Sequence, residues 1–104
     1  MKRSFILREK ALEDVNAIWE FVADVAGEPV ADRLVAKIHD DCRMLARLPR
    51  AGHVRPDLTR RQMMFWTPGS YHIIYHPETI PLEIERIIHT ARDVKKELMR
   101  RSQP

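Results

Sequence analysis

The segment that most constrains the fold is residues 82–93, Leu-Glu-Ile-Glu-Arg-Ile-Ile-His-Thr-Ala-Arg-Asp. Its β-branched content and the preceding proline favour a strand over a helix. Because strand side chains alternate between faces, we expect two sets: Leu82, Ile84, Arg86 and Ile88 on one face, and Glu83, Glu85, Ile87 and His89 on the other. A charge on a largely buried strand is costly unless it is paired or used. The segment therefore indicates both a strand within a sheet and a place to look for function.

Two amphipathic helices are predicted before this strand. From Ala11, apolar side chains recur at steps of three and four, which is typical of one buried helix face: Leu12, Val15, Ile18, Trp19, Val22 and Val25. Gly27 ends this helix, because glycine adopts the left-handed conformation found at helix ends. Pro29 suits the first turn of a second helix, which ends at Pro49 and turns inward Leu34, Ile38, Cys42, Leu45 and Leu48. The short connection predicts an antiparallel helical hairpin.

Four strands are predicted, over residues 3–8, 63–66, 71–76 and 82–93. Short turns join the last three, which indicates an antiparallel meander. Thr67-Pro68-Gly69-Ser70 fits a type II turn with positive φ at Gly69. The first strand joins the same sheet, because the apolar faces of the two helices need a sheet to cover them.

A short C-terminal helix follows, with Asp93 as its cap. Its expected inward residues are Val94 and Leu98, and its expected outward residues are Lys95, Lys96, Arg100 and Arg101. Residues 49–62 lack periodicity and are interpreted as an ordered basic loop. The predicted architecture is α+β, in the order β-α-α-β-β-β, with the helical hairpin packed on an antiparallel sheet. We expect one domain over residues 1–104.

Composition restricts the class of protein. Of 104 residues, 44% are apolar and 32% are charged, which is typical of a folded soluble protein. The single Cys42 cannot form an internal disulfide, so nothing indicates an oxidising compartment. No apolar run approaches the roughly 20 residues that span a bilayer, and no signal peptide opens the chain. We expect a cytoplasmic protein with no membrane partner.

The charges are unevenly distributed, although the net charge is only +3. Lys and Arg outnumber Asp and Glu by 4 to 1 in residues 1–10, by 4 to 1 in residues 49–61 and by 5 to 2 in residues 92–104. Residues 11–48 have the opposite balance, with 4 basic and 8 acidic side chains. This asymmetry points to an acidic partner, either nucleic acid or an acidic protein surface, although solvated surface charge explains it as well.

Neither metal chemistry nor covalent chemistry is indicated. His72 and His76 share a strand face but lie about 13 Å apart, which is too far to bind one ion. Cys42 falls on the apolar face of a helix, where a buried thiol behaves as a small hydrophobe. The three glycines are isolated, so there is no phosphate-binding loop. We expect no metal and no cofactor.

RNA cleavage is the remaining enzymatic possibility, and it requires an acid, a base and cations. The candidates for these roles are Arg61, Arg86, His89 and Arg92. We favour the alternative that Arg86 pairs with a carboxylate while His89 hydrogen-bonds to a strand end or turn. Trp19 and Trp66 are expected in the core, and Trp66 is the better candidate of the two for binding a partner.

Short motifs follow one another along nearly the whole chain. Those in the helices are Ala11-Leu12-Glu13-Asp14, Ile18-Trp19-Glu20-Phe21 and Ala31-Asp32-Arg33-Leu34. Those that follow are Leu48-Pro49-Arg50-Ala51-Gly52, Arg55-Pro56-Asp57-Leu58, Gly69-Ser70-Tyr71-His72-Ile73-Ile74-Tyr75 and Arg86-Ile87-Ile88-His89-Thr90-Ala91-Arg92-Asp93. In this order and spacing the chain resembles the ParE toxins of bacterial toxin–antitoxin systems, within the RelE/ParE superfamily.

The resemblance implies a βααβββ fold and a role as the toxin of a type II toxin–antitoxin system, with plasmid stabilisation as its setting. It implies a ParD-type antitoxin, whose flexible C-terminal part folds across the toxin in a hetero-oligomer. It also implies that the toxin inhibits DNA gyrase by protein–protein binding, without sequence-specific nucleic-acid binding of its own. A mixed apolar and basic surface suits an acidic amphipathic segment that orders on binding.

The C-terminus distinguishes the two branches of the superfamily. RelE toxins cleave messenger RNA on the ribosome and typically carry a tyrosine or histidine near the chain end, and residues 94–104 contain neither. We therefore predict a gyrase-directed toxin without catalytic residues. The alternatives are a ribosome-dependent nuclease and a non-toxic antitoxin-binding module. The residues expected to bind target or antitoxin are Arg60, Arg61, Trp66, Arg86, His89, Arg92, Lys95, Lys96 and Leu98.

Overall fold

The helical hairpin packs on one face of a five-stranded sheet. The structure, a computed structural model, describes residues 4–99. Its elements are β1 (Phe5–Leu7), α1 (Glu9–Ala26), α2 (Glu28–Arg47), β2 (His53–Val54), β3 (Met64–Trp66), β4 (Tyr71–His76), β5 (Leu82–His89) and α3 (Val94–Met99). The α+β class and the predicted order of helices and main strands are confirmed. Arg100 and Arg101 lie outside the described residues. No helix within residues 4–99 is long and apolar enough to cross a membrane.

The sheet is mixed rather than antiparallel throughout. Its strand order is β1-β5-β4-β3-β2, and β3, β4 and β5 form the predicted antiparallel meander. However, β1 pairs in parallel with residues 82–84 of β5. Parallel neighbours need a long crossover, which the hairpin and the meander supply together. The two-residue β2, inside the predicted loop, is too short to leave an alternating pattern in the sequence.

A β-bulge in β5 changes which side chains share a face. Glu85 lies between Ile84 and Arg86, which are paired, but has no partner of its own on β4. Because an extra residue shifts the alternation, Ile84 and Ile87 both pack under the helices, whereas Ile88 packs on the opposite face. The predicted alternation, which put Ile84 and Ile88 on one face, is therefore wrong beyond the bulge.

Two buried clusters cover the two faces of the sheet. The larger lies beneath the hairpin and includes Ala11, Val15, Ile38, Cys42, Leu45, Ile73, Tyr75, Leu82, Ile84 and Ile87. The smaller consists of Met63, Phe65, Ile74, Ile88 and Val94, with Leu58 and Leu98 packed against it. The predicted inward orientation of Val94 and Leu98 is thus confirmed, and α3 covers the face that the hairpin leaves open.

Part of the predicted helix face is not buried. Leu12, Val25 and Leu48 are exposed, and the predictions that they pack inward are wrong. The fully buried residues of α1, Ala11 and Val15, lie in its first half, and in its second half Ile18 is partly buried against the core. Trp19 belongs to this second half. It is half-buried, and its indole Nε1 donates to Asp32 Oδ1 of α2 at 2.8 Å.

Positive φ occurs at Gly27 and not at Gly69. Gly27 joins the two helices with φ 97° and ψ 156°, and its N–H donates to the carbonyl of Ala23. Among residues 4–99 it is the one glycine with positive φ, so the predicted type II turn at Gly69 is wrong. Four residues connect β3 to β4, which gives a wider loop that does not require the positive φ of a tight turn.

The Tyr75 hydroxyl anchors the start of the basic loop. This buried group donates to the carbonyl of Pro49 at 2.7 Å and accepts the N–H of Gly52 at 3.0 Å. A Cβ at Gly52 would lie 2.6 Å from the Phe65 carbonyl oxygen and 2.6 Å from the Tyr75 hydroxyl, so glycine is needed here. Burial raises the pKa of Tyr75. The start of the loop, just after α2, is therefore fixed to β4 of the sheet.

Replacing Tyr75 with phenylalanine tests this anchor. Tyr75→Phe leaves the Gly52 N–H and the Pro49 carbonyl without their partner, and we expect a loss of about 1–3 kcal/mol in the free energy of unfolding. Urea denaturation measures it. Tyr71→Phe is the control, because the Tyr71 hydroxyl makes no hydrogen bond within residues 4–99. Equal losses in the two variants would contradict the assignment.

Candidate functional site

Arg86 is the centre of a buried ion-pair network. Its Nε and Nη2 donate to the two carboxylate oxygens of Asp14 at 2.8 and 3.0 Å. Its Nη1 donates to the main-chain carbonyl of Glu97 at 3.0 Å. The Arg86 residue is 7% exposed, and its hydrogen bond to Asp14 raises the pKa of the guanidinium. The prediction that Arg86 pairs with a carboxylate is confirmed.

The same network binds α1 and α3 to the edge of β5. Beyond Ile84, β1 no longer pairs with β5, and Asp14 Oδ2 accepts the N–H of Ile87 at 2.9 Å. Glu97 of α3 pairs with Arg86 at 3.3 Å and with Arg92 at 3.0 Å. Burial alone raises the pKa of Glu97, but these two arginines outweigh it and hold the pKa below its ordinary value.

An apolar groove opens beside the network, between α1, the ends of β4 and β5, and the segment leading to α3. Its volume is about 480 Å³, and we call it the α1–β5 groove. It is lined by Asp14, Ala17, Ile18, Phe21, Tyr71, Arg86, Ile87, Ile88, His89, Arg92 and Glu97. Phe21, in the wall of the groove, is 66% exposed, which is a high exposure for a large aromatic side chain. The groove is therefore a candidate binding site.

His89 and Arg92 give the groove a basic rim. The His89 ring meets Tyr71 edge-on, with centroids 5.0 Å apart and planes at 83°. Its Nδ1 accepts the N–H of Ala91 at 3.0 Å, which confirms the predicted hydrogen bond at a turn. Arg92 is exposed although it pairs with Glu97. A ligand in the groove would meet apolar side chains below and a cation at the edge.

The structure brings three of the four residues considered for RNA cleavage to one groove and leaves the fourth outside it. Arg86, His89 and Arg92 line the α1–β5 groove, but Arg61 does not. Arg61 instead pairs with Glu85 at 3.3 Å. The guanidinium of Arg86 is held by Asp14 and Glu97, so it is committed to the fold rather than to a phosphate.

A second charged cluster, which sequence reasoning missed, surrounds the bulge residue Glu85. Its Oε1 lies 2.6 Å from His76 Nε2 and 2.9 Å from Arg8 Nη1, and its Oε2 lies 3.3 Å from Arg61. Burial alone raises the pKa of Glu85, but the hydrogen bond with His76 and the charges of Arg61 and Arg8 lower it overall. Both carboxylate oxygens are occupied, which makes Glu85 a poor general base. These residues are separated in the sequence and meet only in the folded protein, so no local motif predicts the cluster.

The remaining predicted binding residues fall into two groups. Arg60 lies exposed in the basic loop, and Lys95 and Lys96 lie exposed on α3. Trp66 and Leu98 are half-buried and pack against the two core clusters. The Nε1 of Trp66 is buried without a hydrogen-bond partner in the part of the chain that the structure describes. The nine residues therefore occupy several surfaces and not one.

The described part of the chain offers no metal centre or activated thiol. Within residues 4–99, no group of three or more His, Cys, Asp or Glu side chains is placed to hold a metal ion. Cys42 is fully buried, and burial raises its pKa to about 12. Because the thiolate is the nucleophile, Cys42 is inert at neutral pH, in agreement with its predicted core position.

Comparison with known proteins decides the family. The model of the family described as ParE toxin of type II toxin–antitoxin system, parDE, matches residues 5–94. The chain belongs to the ParE toxin family. Membership in a toxin–antitoxin family implies an antitoxin partner for this ParE-family toxin.

Solved structures bear out the fold of the ParE-family toxin. One similar structure is titled as the chromosomal ParDE TA system from P. aeruginosa. It is 19% identical in sequence, with a TM-score of 0.68, and the match covers 85% of this chain and 96% of that one. At this identity the likeness concerns the fold alone. No curated protein matches the chain.

Comparison of Asp14→Ala with Arg8→Ala tests the structural weight of the buried network. Asp14→Ala removes the main partner of buried Arg86 and of the Ile87 N–H, and we expect a loss of about 3 kcal/mol in unfolding free energy. Arg8 is an exposed partner of Glu85, and Arg8→Ala should cost less than about 1 kcal/mol. Chemical denaturation of both variants checks the difference. A loss below about 1 kcal/mol for Asp14→Ala would show that the buried pair does not hold the fold together.

Proposed function

We propose that this ParE-family toxin inhibits DNA gyrase by protein–protein binding in the cytoplasm, and that a ParD-type antitoxin neutralises it by filling the α1–β5 groove. One observation carries the proposal. The apolar groove is open, whereas the side chains of the two charged clusters are bonded to one another. Arg86 and Glu85 are both bonded to neighbouring side chains, so the features left for function are surfaces suited to binding.

The chemistry of the groove supports an antitoxin segment as its occupant. Phe21 and Ile18 present apolar area along α1, while His89 and Arg92 supply basic groups at the rim. An amphipathic segment can place apolar anchors in such a groove. If the segment is acidic and disordered when free, it gains both apolar contacts and charge pairing as it orders.

The same contacts argue for binding over RNA cleavage. Cleavage requires an acid, a base and cations around one phosphate. Arg61 pairs with Glu85 and does not line the groove that holds His89 and Arg92, and the guanidinium of Arg86 is already bonded to Asp14. A ribosome-dependent nuclease is therefore the less supported alternative, and a non-toxic antitoxin-binding module is a further outcome of the same tests.

A supercoiling assay tests the gyrase proposal. Purified toxin, incubated with gyrase, ATP and relaxed plasmid, should abolish supercoiling or trap cleaved plasmid, and the antitoxin encoded beside the toxin gene should reverse the effect. Unaltered gyrase activity at a large excess of toxin would refute the proposal. Cleavage of a reporter message in the presence of ribosomes would favour the nuclease, and harmless expression without antitoxin would favour the inert module.

A pair of equally exposed apolar residues tests the groove. Phe21 lines it and Ile80 does not, although each is 66% exposed. Phe21→Asp places an unpaired carboxylate among apolar contacts, and we expect the affinity for the antitoxin to fall about tenfold or more. Ile80→Asp, which changes the net charge equally, should bind as the wild type does. Calorimetric titration with the antitoxin measures both, and equal affinities for the two variants would place the antitoxin elsewhere.

A further inference from the structure

The basic loop forms a second surface that the α1–β5 groove does not include. Four arginines line one concavity of about 410 Å³ between the loop and the β4–β5 turn: Arg50, Arg55, Arg60 and Arg61. Thr59 and Gln62 add hydrogen-bonding groups, and Glu78 is the one acidic residue of the lining. We call this surface the arginine concavity.

The arginine concavity is held in place by the fold. The Tyr75 hydroxyl fixes the start of the loop through Pro49 and Gly52. Farther along, Arg55 Nε and Nη2 donate to the two carboxylate oxygens of Asp57, at 3.0 and 2.8 Å, and Arg61 pairs with Glu85 at 3.3 Å. The Tyr75 anchor thus fixes the start of the loop that carries the guanidinium groups, which lowers the entropy cost of binding.

Two of the ion pairs around the concavity are too exposed to neutralise it, whereas Arg61 pairs with the largely buried Glu85. Arg50 pairs with Glu78, but both side chains are largely exposed, and exposed pairs contribute roughly 0–1 kcal/mol. The same holds for Arg55 and Asp57. Arg60 makes no ion pair within the described residues. An anionic ligand could therefore replace these partners at little cost.

The positive surface continues beyond the concavity. Arg61 also lines an adjoining hollow of about 250 Å³, to which Arg8 and Lys10 contribute further positive charges. Glu9 and Glu85 lie in the same hollow, so the excess there is smaller. The cations therefore extend from the concavity into the adjoining hollow, which fits a polyanion better than a small anion.

The side chains of the concavity suit the phosphate groups of a nucleic acid. Arginine forks bind phosphate oxygens, like carboxylate oxygens, bidentately, and threonine and glutamine are frequent partners of the nucleic-acid backbone. Protein interfaces are enriched in aromatic residues as well as in arginine and methionine, and single-stranded nucleic acids are bound by stacking on aromatic rings. The lining contains no aromatic residue.

We propose that the arginine concavity binds the phosphate backbone of double-stranded DNA without sequence preference. The contact requires only DNA and the toxin, so it stands apart from gyrase inhibition and from antitoxin binding. With three to four arginines against phosphates, the logarithm of the association constant should fall against the logarithm of the salt concentration with a slope of roughly −3.

Fluorescence anisotropy with a labelled duplex of arbitrary sequence and the full-length toxin tests this proposal. The variant Arg50→Gln/Arg60→Gln removes two loop cations, one of them paired with Glu78. The control Arg33→Gln/Arg43→Gln removes two cations of α2, one of them paired with Asp40, and gives the same net charge. The loop variant should bind about tenfold more weakly or worse with a slope reduced by about 2, and the control should match the wild type within about twofold.

The competing outcomes are distinct. Absence of duplex binding at low salt, or an equal loss in the two variants, would overturn the proposal, because attraction would then follow net charge alone. Tighter binding of a single strand, or equally effective displacement by polyglutamate, would also overturn it in favour of another polyanion. If the loop variant loses DNA binding but still inhibits gyrase, the DNA contact stands and the two functions are separate.

Discussion

The rest of the structure depends on the bidentate ion pair of Arg86 and Asp14. The two residues are 72 positions apart in the chain, and their contact joins the last long strand to the first helix. Burying a charge is costly, and the pair repays that cost only where the geometry is good and the remaining donors find partners. Here the main-chain carbonyl of Glu97 accepts a further hydrogen bond from Arg86, and the Asp14 carboxylate accepts one from the Ile87 N–H.

This pair also explains why the α1–β5 groove exists. Beyond Ile84, β1 no longer covers the edge of β5, and unpaired strand edges attract other chains. Asp14 satisfies one N–H of that edge from the helix side, without a further strand filling the space. The apolar residues around it remain open, so a structural charge and the proposed antitoxin-binding surface share the same few residues. Substitutions at these residues are therefore expected to change stability as well as binding.

The local patterns of the sequence predict much of this architecture. Helical periodicity, prolines and turn residues predict the hairpin, the meander and α3, because each depends on neighbours along the chain. The pairing of Arg86 and the burial of Cys42 can also be predicted from the sequence. An isolated buried charge is unfavourable, and a thiol on the apolar face of a helix is buried with that face. The candidate site residues Arg86, His89 and Arg92 could be proposed from the polar positions within residues 82–93 and from the family resemblance, although Arg92 lies beyond the end of β5.

Features that depend on distant pairing could not be predicted. The bulge at Glu85 exists only in the register of β5 against β4, and the parallel direction of β1 depends on the whole topology. The exposure of Leu12, beside the buried Ala11 and Val15, and of Val25, near the end of α1, depends on how the helix is rotated and placed on the sheet. For the same reason Phe21 was not singled out, because its helical position does not reveal that the strand edge beside it is open.

The strand order has a consequence for how the protein acquires its shape during translation. β5 lies between β1 and β4 in the sheet, yet it is the last strand to be synthesised. Until residues 82–89 have left the ribosome, β1 has no neighbour to pair with and Asp14 has no arginine to bind. Contacts of such long sequence separation form late, so the nascent polypeptide cannot present its finished surfaces while most of it is being made.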